Sequence, residues 1–183
     1  MQWFFPLIAS GLALCLIISI YTDVKSREIS NLVVIFGSIY AIAMWTAFVG
    51  ISGLKLSLGG GFLSFTVFLL FALIGDMGMG DVKLMGMSGF FFAWPFAIAH
   101  IGYTVIAGFI FAVIWVVAHG HFLKTIQNLV TVFKSWILPN RTRVHLEELE
   151  TSALPYGIAI AAGGFFSLAA IKFRFLDFFH LLF

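Results

Sequence analysis

The sequence predicts an all-α integral membrane protein: a bundle of six transmembrane helices with one amphipathic helix lying in the cytoplasmic interface. Two observations carry that expectation. The 183 residues are 62% hydrophobic and 10% charged, with a mean hydropathy of +1.10, whereas a water-soluble domain carries about 25% charged residues. The few charges also leave five stretches free of Asp, Glu, Lys and Arg, at 4–22, 32–54, 56–75, 84–118 and 153–171, and about 20 apolar residues make one helical crossing.

The stretch 4–22 lacks a basic flank and a small-residue cleavage pattern, so it reads as a retained helix rather than a secretory signal. Stretches 32–54 and 56–75 fit one span each, parted by Lys55. The long stretch 84–118 fits two short spans turning near Trp94, Pro95 and His100, and 153–171 fits the sixth. Within the one long loop, 119–152, Phe122, Ile126, Leu129, Val130, Phe133, Trp136 and Ile137 recur at spacings of three and four opposite Lys124, Gln127, Asn128, Lys134 and Ser135. That is the pattern of an interfacial amphipathic helix, ended by Pro139-Asn140. Glu147, Glu148 and Glu150 follow, either a solvated loop or an acidic patch for a basic substrate segment. The end, 172–183, reads as an aromatic interfacial tail too short to cross. With so little chain outside the spans, 1–183 is expected to form a single polytopic domain.

Lys and Arg resist translocation. Lys25, Arg27, Lys83, Lys124, Lys134, Arg141 and Arg143 fall on one side of the predicted spans, against Lys55, Lys172 and Arg174 on the other. This places loops 23–31, 76–83 and 119–152 in the cytoplasm and both termini outside. A net charge of +2, scattered among loops, excludes a nucleic-acid footprint; membrane lipid is the expected surrounding, and no pattern sets an oligomeric state. Cys15 is the single cysteine, so neither an internal disulfide nor a cysteine metal site can form. His119-Gly120-His121 offers two imidazoles, too few for a defined metal site, and no cofactor or metal is expected.

Charges at a membrane boundary are costly, so the acidic residues there are candidates for function. Asp23 closes the first span, and Asp76 and Asp81 flank Met77-Gly78-Met79-Gly80 before the fourth. The topology sets them at one face. Two carboxylates brought together away from water share one proton, so that one serves as base toward water and the other as acid. The plainer alternatives are that Asp81 caps a helix and that Asp23 pairs with Lys25 or Arg27. A different class, an ion or proton transporter, would use Asp23, Asp76 and Asp81 as a path, but all three lie at one end rather than along a route. Gly86-Met87-Ser88-Gly89 could hold a serine nucleophile with His100, His119 or His121 as base, although close helix packing alone accounts for small residues there.

Gly78-Met79-Gly80-Asp81, continued by Val82-Lys83-Leu84, resembles the GxGD motif of the type IV prepilin peptidase family. Asp23, followed by Ile29-Ser30-Asn31, is similar to that family's other aspartate, with Ser30 in place of a proline before the Asn. Pro155-Tyr156-Gly157 resembles the segment that opens the family's last helix. The resemblance spans residues 10–170 and implies a membrane aspartyl protease with Asp23 and Asp81 as catalytic residues. Gly78, Gly80, Lys83, Pro155, Tyr156 and Gly157 would support the motifs or the substrate. It implies a prepilin partner, with a basic leader and a hydrophobic helix, and no cofactor or metal. The absence of a cysteine-rich segment matches the short members that process Flp-type pilins without methylating them. Asp76 departs from the family pattern and is read as a helix-end residue.

Overall fold

The computed structural model describes residues 3–74, 77–118 and 156–182, the last twelve of these as backbone only. The described elements are all helices: α1 (Phe4–Ser26), α2 (Asn31–Ile74), α3 (Met79–Phe92), α4 (Phe96–Ala118) and α5 (Tyr156–Leu182). Three of them, α1, α2 and α4, are long and apolar enough to cross a membrane. Among the described residues the expected six helices are corrected to five. The chain divides into two compact units, Met1–Gly108 with Pro155–Phe183, and Phe109–Leu154. The second is described only over Phe109–Ala118, where the rings of Phe111 and Trp115 lie 5.9 Å apart. The interfacial helix, the acidic loop 145–150, His119, His121, Asp76 and Pro155 lie outside the described residues.

The miscount has a local cause. The expected boundary at Lys55 rested on charge, but the backbone breaks at Gly50, with φ 69 and ψ −150, inside a single element of 44 residues. That conformation is open to glycine and strained for any other residue. The expected turn in 84–118 falls at Ala93-Trp94-Pro95, which leaves His100 inside α4. The expected tail is instead a continuation of α5 to Leu182, because no Gly or Pro after Gly164 interrupts the helix.

In the first unit, α1 buries one stripe, Phe4, Ile8, Leu12, Leu16 and Ser19, at the three- and four-residue spacing of one helix face. The Phe4 ring meets Trp45 edge-on at 5.1 Å. Helix α3 is buried nearly all round, from Val82 through Leu84–Gly89 to Phe91 and Phe92, and so forms the centre of the unit. Its 14 residues make about 21 Å, less than a hydrocarbon core of about 30 Å. Its last carbonyls therefore end among apolar neighbours, where an unpaired polar group costs several kcal/mol. They are met by side chains: Ser57 Oγ donates to Phe90 O at 2.9 Å and Trp45 Nε1 to Phe91 O at 3.0 Å. Trp94 N donates in turn to Leu56 O at 2.9 Å. These bonds fix α3 against both arms of α2.

Candidate active site

Asp23 and Asp81 belong to different helices, and each is lodged at a helix N-terminus. Asp23 lies in the last turn of α1, which Arg27 closes in the left-handed conformation by donating its N–H to Asp23 O at 2.8 Å. Its carboxylate faces the backbone N–H of Gly157, in the first turn of α5. Oδ2 of Asp23 is buried and has no hydrogen-bond partner among the described residues. Lys25, an expected ion-pair partner, turns instead to Tyr21, with Nζ 3.4 Å from the hydroxyl and 5.5 Å from the ring centre.

Asp81 sits in the first turn of α3 rather than in a loop before it. The N-cap is Gly78, with no side-chain capping bond, so Asp81 is not the cap that its sequence position allows. Its backbone N–H donates to Gly78 O at 3.1 Å. The start of a helix favours a negative charge by about 0.3–1 kcal/mol, yet the Asp81 carboxyl is pushed up to about 7, first by burial and then by the neighbouring charge of Asp23. Desolvation and like-charge repulsion thus outweigh the helix dipole. The pair is set to hold one proton near neutrality.

Of the motif residues, Gly157 and Gly78 lie against the two carboxyl groups, with Asp81 Oδ2 3.2 Å from a methyl group added at Gly78. A methyl group at Gly157 would stand 2.5 Å from Asp23 Oδ2 and 3.1 Å from its Cγ, so the start of α5 reaches the carboxylate only because residue 157 has no side chain. Gly80 lies under Ile29, whose Cβ would be 3.4 Å from an added methyl. Lys83 is exposed and donates to Asn31 Oδ1 at 3.2 Å, tying the start of α3 to the start of α2. Tyr156 is half-buried at the first position of α5. Pro155 and Asp76 lie outside the described residues.

Sequence reasoning treated His100 as a marker of the turn in 84–118 and as a possible base for Ser88. The structure does bring the two together, with His100 Nε2 hydrogen-bonded to Ser88 Oγ at 2.8 Å. Both residues are 0% exposed, so no peptide bond reaches this serine in the described fold. Gly89 instead packs against Ser64 and Gly60, the close approach of α2 that small residues permit. The one local signal for this cluster was Thr104, one helical turn after His100; Ser88 and Ser167 come from other helices, 12 and 67 residues away.

Comparison with known families sets the class first: the chain is a membrane protease. Over residues 10–117 it matches the family model of the type IV leader peptidases, and it belongs to that family. The matched segment contains both aspartates and stops short of Gly157. No curated protein and no solved structure matches the chain.

Proposed function

We propose that this protein is an aspartic-type endopeptidase that removes the basic leader from Flp-like type IV prepilins. It works at the cytoplasmic face of a bacterial inner membrane, with both termini outside. The observation that carries the reading is the pair itself: Asp23 and Asp81, from α1 and α3, close enough that the charge of one helps to raise the other to about 7. Asp81 keeps its proton up to that value and acts as the acid, and Asp23 as the base. Asp23 takes a proton from water as the water oxygen bonds to the scissile carbonyl carbon. Asp81 polarises that carbonyl, and the departing amine receives a proton as the C–N bond breaks. A prepilin with its hydrophobic helix in the bilayer and its basic leader in the cytoplasm presents the junction between them at the height of this pair. Short Flp-type specificity is supported by the single cysteine of the chain, which leaves no cysteine-rich segment for a methylating function.

The test is leader removal in membranes that contain this protein and a Flp-type prepilin, followed by mass spectrometry. Asp23→Asn and Asp81→Asn are each expected to lower cleavage by about 10³-fold or more, while Asp76→Asn still cleaves. Full activity in Asp23→Asn would show that the carboxylates have been paired wrongly.

A further inference from the structure

The three chain segments that meet at the carboxylates meet again two turns away. Leu16 lies seven residues before Asp23, Ser88 seven after Asp81 and Gly164 seven after Gly157. Seven residues are nearly two turns, about 10 Å along the axis and almost the same face. At this second level, a methyl group at Gly164 would stand 2.7 Å from Leu16 Cδ1 and 3.8 Å from His100 Cε1. His100, from α4, fills the space between α3 and α5. Its Nε2 bonds to Ser88 Oγ at 2.8 Å and its Nδ1 to Ser167 Oγ at 3.2 Å, with Thr104 Oγ1 3.5 Å from Nδ1. Its ring stacks on Phe92 at 4.3 Å. No charged group contacts it among the described residues: α3 presents Ser88 and Phe92, α5 presents Gly163, Gly164 and Ser167, and α4 presents Thr104.

We infer that His100 is a positioning residue for the carboxylate pair, a polar clasp that holds α3 to α5 and so sets the separation of Asp81 from Asp23. The inference rests on the proposed peptidase reading. Three features support it. The first turn of α3 has no side-chain cap and its polar tie to α2, Lys83 to Asn31, is exposed, so the deeper, buried part of the helix contributes to the placement of Asp81. The start of α5 is fixed to Asp23 through Gly157; whatever fixes α3 to α5 therefore fixes Asp81 to Asp23. Each serine also has a backbone acceptor of its own, Met85 O at 2.9 Å for Ser88 and Gly163 O at 2.6 Å for Ser167. A neutral His100 carries one N–H, so it donates to one serine and accepts from the other, which then gives up its backbone acceptor; the serines could both be satisfied without the histidine, and its two bonds serve to join the helices.

The same two backbone acceptors make the test clean, because His100→Phe fills the space and leaves neither hydroxyl unpaired. In His100→Phe the expected result is a fall of roughly tenfold in kcat with KM little changed, as a small displacement of one carboxylate gives. His100→Gln, which can still bridge two hydroxyls, is expected to recover most of it. The groups that face the pair are Asp23 from α1, Asp81 from α3 and the Gly157 N–H from α5. Moving Asp81 away from Asp23 therefore lowers the pH at which Asp81 loses its proton. That pH is read without substrate from the infrared band of the protonated carboxyl, assigned by its loss in Asp81→Asn, and is expected to fall by about one unit in His100→Phe. Wild-type kcat and an unmoved band in a folded His100→Phe protein overturn the inference, as does equal loss in the Phe and Gln variants. If Asp81→Asn still cleaves prepilin, the peptidase reading fails instead, and the infrared titration reports separately on the clasp.

Discussion

Two polar clusters sit on the same three helix faces about 10 Å apart, and their polar atoms are treated in opposite ways. Around His100 both ring nitrogens have a serine partner, and each serine has a backbone carbonyl within reach as an alternative acceptor. Around Asp23 and Asp81, one carboxylate oxygen is buried without a hydrogen-bond partner among the described residues and two carboxyl groups are held near each other. A satisfied buried network stiffens a fold, whereas an unsatisfied one stores a cost that persists only where the surrounding structure imposes it. On the proposed reading, the first cluster holds the helices and the second is left reactive. One turn from Asp23 toward the His100 level, the buried Ser19 Oγ also has no partner among the described residues, so the unsatisfied region extends below the carboxylates.

The sharpest way to break this comparison is to add the same methyl group at each level. In Gly157→Ala the new carbon meets the Asp23 carboxylate at 2.5 Å, and the pair must separate or turn. A misplacement of about 1 Å costs about 100-fold in rate, so that loss of cleavage is expected, with the melting temperature little changed. In Gly164→Ala the new carbon meets Leu16 Cδ1 at 2.7 Å, the movable end of a flexible side chain, and a loss of about twofold is expected. Equal losses in the two variants, measured by initial rates of leader removal, would erase the distinction between the levels.

A smaller effect separates stability from activity. The Asp81 carboxyl ionises near its ordinary value of 3.8 when the chain is unfolded and at about 7 when folded. Between those values the unfolded state binds fewer protons, so the stability of the wild type falls as pH rises from about 4 to 7 and stays low above that. Asp81→Asn removes this cost. The variant is expected to melt above the wild type at about pH 8 and close to it below about pH 4. Cleavage by the wild type is expected to decline as pH rises through about 7, where the shared proton is lost. Thermal unfolding in detergent checks the first expectation and a pH–rate profile the second. A variant no more stable than the wild type at the higher pH would mean that Asp81 is not under strain.

Much of the site was legible in the sequence because charges in an apolar chain are scarce and each one marks a boundary. Asp23 and Asp81 stood out for that reason, and the glycines around them implied close approach. The count of helices was less legible, since charge located the break at Lys55 while the backbone turned at Gly50; a glycine within an apolar stretch gives no sign of the sign of its φ. The His100 clasp was hidden more deeply. Its members lie 12 and 67 residues apart along the chain, and only the packing of α3 and α5 on α4 reveals that a histidine inside a hydrophobic run is fully paired.

Lys83 tests how far the reactive level extends. It follows Asp81 by two residues, which directs it away from the carboxylates on a helix of 3.6 residues per turn, and its ammonium reaches Asn31 Oδ1 in an exposed position at 3.2 Å. An exposed polar link of this kind is worth about 1 kcal/mol or less. Lys83→Met keeps the length of the side chain and removes only the charge and the bond. Cleavage is expected to stay within about threefold of wild type, with a slight loss of thermal stability as the start of α3 is released from the start of α2. A loss comparable to that of Gly157→Ala, confined to KM, would instead place Lys83 against the substrate. The boundary of the reactive level would then move outward by one residue pair, from the buried carboxylates to the exposed link between Lys83 and Asn31.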